Sequence, residues 1–275
     1  MRTAVVGHVE WVDFVRVARL PRQGEILEPH ESFAEPAGGG AVAAVQLARL
    51  AGECTFFTAV GDDENGRRVE RRLSELGVDV RAVRRRGKPT RRAFVYLDAD
   101  GERTITTVGE RLHPVRADDL PWDKLARADC VYFVAGDVGA LRAARAARAL
   151  VATSRVTDLL ERADVQLDAV VGSARDAAER YRAIEPPPHL VVATEGARGG
   201  SWTVAEGRTG KWSAAPLPGP LRDAYGAGDS FAAGLAFALG EGRATEDALS
   251  VAARCGATCL TGRGPYEKQL TRAEL

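Results

Sequence analysis

The chain has 275 residues, of which 45% are apolar and 28% are charged, so its composition is that of a globular protein and excludes a disordered or fibrous one. Lys and Arg together number 38, as do Asp and Glu, and this balance excludes a net field that would attract nucleic acid or an anionic membrane. No apolar stretch reaches the ~20 residues of a membrane helix, and no signal peptide is recognised. With four scattered cysteines typical of reduced thiols, we expect a cytoplasmic protein.

The first part of the chain alternates between strand-like and helix-like segments. Residues 3–9 form a continuous apolar run that predicts a strand buried on both faces. Three glycines at 38–40 open a long apolar helix that runs to about Leu50. A strand at 54–60 and a helix ended by Gly77 follow, and this order is typical of βαβ units.

A hairpin interrupts this alternation. Residues 93–97 and 103–108 flank a turn that ends in Asp100-Gly101, which is a strong hairpin signal. We expect the hairpin to lie outside the main sheet, because its strands look too exposed for the core. Segments of about 11–35 and 88–108 would then form a small β-sheet lid that covers a ligand.

The alternation resumes in the second half of the chain. We predict strands at 131–134, 168–171 and 190–193, helices near 138–150 and from about 175, and a second hairpin of residues 201–205 and 211–214. The whole pattern predicts a single α/β domain over residues 1–275. It would be a three-layer α/β/α sandwich with a mostly parallel central sheet and the small lid.

A basic run separates the second predicted helix from the first hairpin. It contains Arg81, Arg84, Arg85, Arg86, Lys88, Arg91 and Arg92. Arginine is abundant throughout this chain, so we favour a solvated loop and strand face over a contact with a phosphate or substrate. The second interpretation stays open.

The most specific signal is the segment 223–231, Asp-Ala-Tyr-Gly-Ala-Gly-Asp-Ser-Phe, which opens an apolar helix. Unpaired backbone N–H groups and the positive end of the helix dipole make such a helix start an anion cradle, and glycine lets a phosphate approach closely. Asp229 should remain ionised there and can accept a proton from a hydroxyl that attacks a phosphate. A glycine-rich turn with Asp as an N-cap is the alternative.

This segment resembles the signature of the ribokinase-like, or PfkB, carbohydrate kinases, which reads Asp-Thr-Thr-Gly-Ala-Gly-Asp. The resemblance covers nearly the whole chain. Other segments at familiar spacings are Gly7, Pro21 to Glu25, Gly38-Gly39, Leu47 to Leu50, Val60 to Asp63 with Gly66, Pro89-Thr90, Asp100 to Arg103, and Thr194 to Gly196 with Gly199.

The resemblance implies a role for each matching residue. Asp229 would be the catalytic base, with Gly226, Ala227 and Gly228 as the anion hole. Gly38 and Gly39 would contact the substrate. The nucleotide would be bordered by Ser173, Thr194, Gly196, Gly199 and Gly228. The cofactors implied are Mg²⁺ with ATP, near Asp176, and K⁺ near Asp223 where a monovalent cation is used.

Several ligand positions depart from the family pattern. Glu10 falls where the family often has Asn and is the better substrate candidate, with a solvated lid residue as the alternative. Val12 falls where the family has a sugar-binding Asp, and Asp13, one residue along, would bind substrate only where a bulge intervenes, because it otherwise points to the other face of the strand. Val42 replaces an Asn. Asp137 could reach the substrate from a strand end or cap a helix. Ser173 to Asp176 replaces the family's Asn-x-x-Glu, and Ala224 and Tyr225 replace Thr-Thr.

We therefore expect an ATP-dependent phosphotransferase that acts on a hydroxyl of a small polyhydroxylated substrate: a sugar, a sugar acid or a nucleoside. The alternative is a catalytically silent protein of the same fold that binds a sugar or nucleotide, and the departures at Val12, Val42 and Ser173 favour it. The exposed strand edges of the lid also allow a homodimer. A P-loop kinase and a dinucleotide oxidoreductase are excluded, because the glycine spacings of both motifs are missing.

Overall fold

The computed structural model describes all 275 residues, and the first half of the chain contains seven strands and two helices. In chain order they are β1 (Thr3–Val6), β2 (Glu10–Arg16), β3 (Glu31–Ala37), α1 (Gly39–Ala51), β4 (Cys54–Gly61), α2 (Glu64–Glu75), β5 (Val78–Arg85), β6 (Arg92–Leu97) and β7 (Arg103–Val108).

The second half contains six strands and four helices. They are β8 (Cys130–Phe133), α3 (Val138–Ala144), β9 (Ala149–Thr153), α4 (Thr157–Ala163), β10 (Ala169–Ser173), β11 (Leu190–Thr194), β12 (Gly200–Val204), β13 (Thr209–Trp212), α5 (Ala227–Gly240) and α6 (Thr245–Cys259). No helix combines the length and the apolar character needed to cross a membrane.

The main sheet has nine strands in the order β13-β12-β11-β10-β9-β8-β1-β4-β5. The seven strands from β11 to β5 are parallel, and β12 and β13 add an antiparallel hairpin at one edge. Neighbouring residues of β1 face opposite sides, so Val5 packs in a core with α1, α5 and α6 while Val6 packs in a second core with α3 and α4. The predicted three-layer sandwich is confirmed.

A separate four-stranded sheet has the order β3-β2-β6-β7 and is called the small sheet below. Alternate residues of β2 and β6, such as Val12, Phe14 and Val95, are fully buried. All six residues of β7 are exposed, so this strand is a free edge. The homodimer expected through such an edge stays a prediction.

Two helices expected from the sequence are wrong in extent. The helix predicted near 138–150 ends at Ala144, and the run Ala149–Thr153 is instead the buried strand β9, paired with β8 and β10. Alanine-rich sequence favours a helix locally, but a place between two parallel strands overrides that preference. The helix predicted from about Arg175 is a single 3₁₀ turn at Ala177–Glu179.

The segments Val60 to Asp63 and Pro89-Thr90, noted above for their resemblance to the family, hold the base of the small sheet to the main sheet. Asp63 caps α2 by accepting a hydrogen bond from Gly66 N at 2.9 Å, and it also accepts bonds from Thr90 N at 3.0 Å and Thr90 Oγ1 at 2.6 Å. Thr90 Oγ1 in turn accepts a bond from Gly61 N at 2.9 Å. The segment that leads into β6 is therefore fixed against β4 and α2.

We predict that Asp63→Ala lowers the free energy of unfolding by about 2 kcal/mol, because it removes a helix cap and leaves donors of Thr90 unpaired. Partial burial raises the pKa of Asp63, but the bonds from Thr90 and Gly66 outweigh it and hold the pKa below its ordinary value. The stabilisation is therefore present above the ordinary Asp pKa of ~3.9 and is lost as the pH falls further. Urea unfolding at pH 7 and pH 3 measures it.

The matched control is Asp62→Ala, which removes the exposed neighbouring carboxylate. Equal losses of stability in the two variants at pH 7 would contradict the role assigned to Asp63.

Candidate active site

A cleft opens where β1 and β8 end, between the start of α1 and the small sheet. Its cavity has a volume of about 460 Å³ and is lined by Arg91, Gly109, Arg111, His113, Ala135, Gly136 and Val156. Adjacent parallel strands end at the same edge of a sheet, and ligands of α/β proteins bind at such edges. Ala135 and Gly136, which follow β8, therefore form part of the wall of the cleft.

The helix α5 begins beside this cleft with unpaired backbone donors. Gly226 is its N-cap with φ of +82°, a conformation that strains other residues, and the first helical hydrogen bond runs from Ser230 N to Gly226 O at 2.9 Å. The N–H groups of Ala227, Gly228 and Asp229 consequently lack helical partners. A Cβ at Gly228 would meet no atom within 4 Å, so an anion has room to approach.

Asp229 lies in the first turn of α5 against the start of α1. A Cβ built on Gly39 would lie 2.8 Å from Asp229 Oδ1, so only glycine at position 39 admits this carboxylate. Burial and the charge of Glu179 raise the pKa of Asp229 to about 6, against the opposing charges of Arg103 and Arg155. A carboxylate with this pKa is ionised at neutral pH yet basic enough to accept a proton.

Glu10, a predicted substrate residue, lies beside Arg91, which lines this cleft. It is only 6% exposed, and its Oε1 lies 3.1 Å from Arg91 Nη1 and 4.0 Å from His8 Nε2. Burial raises the pKa of Glu10, while Arg91 and Arg111 oppose this. Burial, with Arg111 and Arg91, lowers the pKa of His8 to about 3, so His8 is neutral.

Two other residues predicted to bind substrate are held elsewhere. Asp13 lies on the outer side of β2, where its Oδ2 accepts a hydrogen bond from Arg92 at 2.9 Å, because β2 has no bulge. Asp137 caps α3, and its Oδ1 accepts bonds from Ala140 N at 2.8 Å and Arg116 N at 2.9 Å. Neither carboxylate is brought beside Asp229.

Tyr225 fills part of the space between the small sheet and α1. Its hydroxyl accepts a hydrogen bond from Gly38 N at 3.1 Å, and its ring stands edge-on to Phe14 at 4.9 Å between centroids. Val12 and Val42 are fully buried in the same core. The backbone donor of Gly38, which the sequence assigned to the substrate, is thus bonded within the protein.

The residues predicted to border a nucleotide gather at the ends of β10 and β11. Ser173 and Thr194 are partners in adjacent strands. The turn that follows contains Gly196 with φ of +65° and Gly199 with φ of +82°, and a Cβ on Gly199 would lie 2.0 Å from Trp212 O. The turn therefore requires glycine and leaves a low rim beside the strand ends.

A cluster of charged side chains lies next to this rim, and the sequence did not predict it. Arg155 Nε donates to Glu179 Oε1 at 3.0 Å and Arg155 Nη2 donates to Asp176 Oδ2 at 2.7 Å, while Glu179 Oε2 accepts a bond from Ser173 N at 3.0 Å. Of the two carboxylates in this cluster, Glu179 and not Asp176 acts on the pKa of Asp229. No motif marks either Arg155 or Glu179, since both lie in the region where the predicted elements were wrong.

Asp223, the predicted ligand of a monovalent cation, is completely buried. Its carboxylate accepts hydrogen bonds from Tyr225 N at 3.0 Å and Gly264 N at 2.7 Å, and Arg16 Nη2 lies 3.6 Å from it. A guanidinium group therefore already supplies positive charge at this position. The residues described contain no cluster of three or more Asp, Glu, His or Cys that could hold a metal ion.

The fold and the helix start at 226–229 define an α/β protein in which unpaired backbone N–H groups lie beside a carboxylate. The model of the pfkB family carbohydrate kinases matches the chain over residues 2–183 and 138–272. The chain therefore belongs to the pfkB family of carbohydrate kinases, and the resemblance noted in the sequence is confirmed.

Individual relatives agree with this assignment. An ATP-dependent ribose-1-phosphate kinase of Halopiger xanaduensis is 30% identical and covers 94% of this chain and 91% of its own length. An aminoimidazole riboside kinase of Salmonella typhimurium is 28% identical, over 86% of each chain. The solved structure of Arabidopsis thaliana ribokinase with ribose and ATP covers 99% of this chain and 96% of that one, with a TM-score of 0.79 and 22% identity, and so shows the same fold.

We predict that Asp229→Asn stabilises the protein, and does so more at pH 8 than at pH 5. The pKa of Asp229 is raised to about 6 in the folded protein, so its ionised form destabilises the folded state. This destabilisation grows as the pH rises from the ordinary Asp pKa of ~3.9 through 6. Partial solvent access limits the gain to about 1 to 2 kcal/mol. Urea unfolding of both proteins at the two pH values measures it, and a gain independent of pH would contradict the raised pKa.

Proposed function

We propose that this protein is an ATP-dependent kinase of a small polyhydroxylated substrate, with Asp229 as its general base. The observation that carries the proposal is the juxtaposition of the Asp229 carboxylate with the unpaired N–H groups at the start of α5. The names of the two curated relatives differ in acceptor, one a riboside and one a sugar phosphate, so they support a kinase without fixing the acceptor.

In the proposed reaction a substrate hydroxyl lies between Asp229 and the γ-phosphate of ATP. Its oxygen forms a bond to the γ-phosphorus while the bond from that phosphorus to the β–γ bridging oxygen breaks, and ADP leaves. Asp229 receives the hydroxyl proton. The N–H groups of Ala227, Gly228 and Asp229 stabilise the negative charge on the transferred group.

The nucleotide would lie along the rim formed by Ser173, Thr194 and the glycine turn. Mg²⁺ would arrive with ATP and neutralise charge on its phosphates; a kinase usually holds it through one or two carboxylates and water. Glu179 and Asp176 fit that requirement, although both are paired with Arg155. Arg155 is itself close enough to oppose the raised pKa of Asp229, so it adds positive charge where the phosphates would bind.

The small sheet would act as the lid of the cleft. Its β6–β7 turn reaches the catalytic segment, where Gly101 O accepts a hydrogen bond from Ala224 N at 3.0 Å and Arg103 Nη1 donates to Ala224 O at 3.2 Å. These bonds couple the lid to the anion cradle. Closure would exclude water and so prevent hydrolysis of ATP. The cytoplasmic location stays a prediction, to which the four buried free thiols are suited.

We expect the enzyme to need no K⁺, because Arg16 supplies a fixed cation beside Asp223. Replacing K⁺ by Na⁺ at constant ionic strength should change the rate of ADP release by less than about twofold. Arg16→Met should leave Asp223 uncompensated, with a lower melting temperature that K⁺ partly restores. A strong K⁺ requirement of the unchanged protein would contradict this expectation and support the cation site predicted for Asp223.

The second candidate is a silent binding protein of the same fold. Tyr225 favours it, because the hydroxyl of this residue occupies the backbone donor of Gly38. The intact cradle and carboxylate at 226–229 favour the enzyme, since binding alone needs no base.

The test is ADP release by the purified protein with Mg·ATP and a panel of sugars, sugar acids, sugar phosphates and nucleosides, beside Asp229→Asn. We expect turnover of at least one compound, a loss of about 10³-fold or more in the variant, and a fall in kcat/KM below about pH 6 as Asp229 takes up a proton. Absence of turnover together with equal binding of ATP by both proteins would favour the silent alternative.

A further inference from the structure

The cavity that follows β8 holds two guanidinium groups, of which Glu10 compensates only one. Asp229 lies near it, because a Cβ on Gly39 would contact both Asp229 Oδ1 and Val134, the residue before Ala135. Its wall contains the guanidinium groups of Arg91 and Arg111 and the imidazole of His113, and no carboxylate lines it. The rest of the wall is small, with Gly109, Ala135 and Gly136. At about 460 Å³ the cavity has the size of a small-molecule site.

Arg111 has no partner within the protein. It forms neither an ion pair nor a side-chain hydrogen bond, and its Nε is buried without an acceptor. Burial and the neighbouring charge of Arg91 lower the pKa of Arg111, which reports the cost of holding two guanidinium groups together. A half-buried guanidinium ordinarily has an acceptor, so a bound anion would supply what the fold omits.

Arg91 is only partly compensated and is firmly positioned. Its Nη1 lies 3.1 Å from Glu10, yet its Nε is also buried without an acceptor. Arg91 O accepts a hydrogen bond from Trp11 N at 2.9 Å, and the preceding Thr90 is held by Asp63. With Glu10 ionised, the two arginines still leave one net positive charge in the cleft.

The cavity of the arginine pair lies at the end of β8, away from the rim at the end of β11. Ala135 and Gly136 follow β8, whereas Thr194 ends β11, three strands further along the sheet. Strands in a sheet are ~4.8 Å apart, so about 14 Å separates the two strand ends. The phosphates of ATP, held between the α5 cradle and the β11 rim, would therefore not occupy the arginine pair.

The part of the cleft nearer α1 offers little to a neutral sugar. Tyr225 bonds to Gly38 N, and Val12 and Val42 present no polar atom. The polar groups left to recognise an acceptor include Glu10, the arginine pair and the Nδ1 atom of His8, which is buried without a partner. Recognition therefore depends on charge more than on a set of hydroxyl contacts.

We propose that Arg91 and Arg111 form an anion subsite and that the acceptor is a sugar carrying an oxyanion group, either a phosphate monoester or a carboxylate. Guanidinium groups bind both oxyanions through paired N–H bonds. The inference rests on the proposed kinase activity: the anion is held at the arginine pair while a hydroxyl of the same sugar attacks the γ-phosphorus and gives its proton to Asp229. The anion itself does not react.

The experiment compares each anionic sugar with its neutral parent, with pentose and hexose phosphates in one arm and sugar acids in the other. We expect kcat/KM for one anionic compound to exceed that for the parent sugar by about tenfold or more. Arg111→Gln should raise its KM by about tenfold, with KM for ATP unchanged, and Arg111→Lys should restore part of the loss. The arm that responds identifies the oxyanion.

The matched control is Arg86→Gln. Arg86 is exposed, has no ion pair and belongs to the basic run that also contains Arg91. This variant should leave both KM values unchanged. Equal or better turnover of the neutral sugar, or an equal effect of Arg111→Gln on neutral and anionic substrates, would overturn the subsite and leave the kinase in place.

A binding measurement separates the subsite from catalysis. Calorimetric titration of Asp229→Asn with the anionic sugars should detect binding, and this binding should be weaker in the double variant Asp229→Asn with Arg111→Gln. The same result together with no turnover by the unchanged protein would retain the subsite while the kinase proposal falls. Inorganic phosphate should also raise the melting temperature of the unchanged protein more than that of Arg111→Gln. The same phosphate effect in both proteins, with no binding of any anionic sugar, would overturn the subsite.

Discussion

The site depends on the meeting of two helix starts at one carboxylate. Asp229, in the first turn of α5, lies so close to Gly39 at the start of α1 that a single Cβ there would collide with its oxygen. The approach is possible because α1 and α5 are rich in small residues. Small residues also let α5 approach α6, where a Cβ on Gly234 of α5 would lie 2.6 Å from Cys255 Sγ. Close packing of these helices therefore sets the position of the candidate base to within a fraction of an ångström.

The close packing of these helices also determines how readily Asp229 ionises. A carboxylate between two helix starts is removed from water, which raises its pKa, while the helix dipoles and nearby arginines keep the anionic form accessible. Glu179 and Glu10 raise the pKa of Asp229, whereas Arg103 and Arg155 lower it. The cleft thus holds several buried charges whose sum is close to balanced around the base and positive only at Arg91 and Arg111.

A residue of the candidate site could be predicted from the sequence where it acts through local backbone geometry. The segment 226–229 and the glycines at 38 and 39 were predictable, because helix starts and close approaches need particular residues at fixed spacings. The outward direction of Asp13 followed from strand periodicity alone. Arg155, Glu179 and Arg111 were not, since each reaches the cleft from a separate loop and no spacing links them. The misplaced helix at 138–150 hid β9 and, with it, the loop that carries Arg155.

Tyr225 links the two departures that the sequence left unexplained. Where the family signature has a small hydroxyl residue, a phenol reaches across to Gly38 and packs in the core that also contains Val12 and Val42. The same substitution that closes the neutral part of the cleft leaves the cavity at Arg91 and Arg111 open. A change of acceptor explains both the loss of hydroxyl contacts and the unpaired, half-buried Arg111, whereas decay of the site explains only the loss.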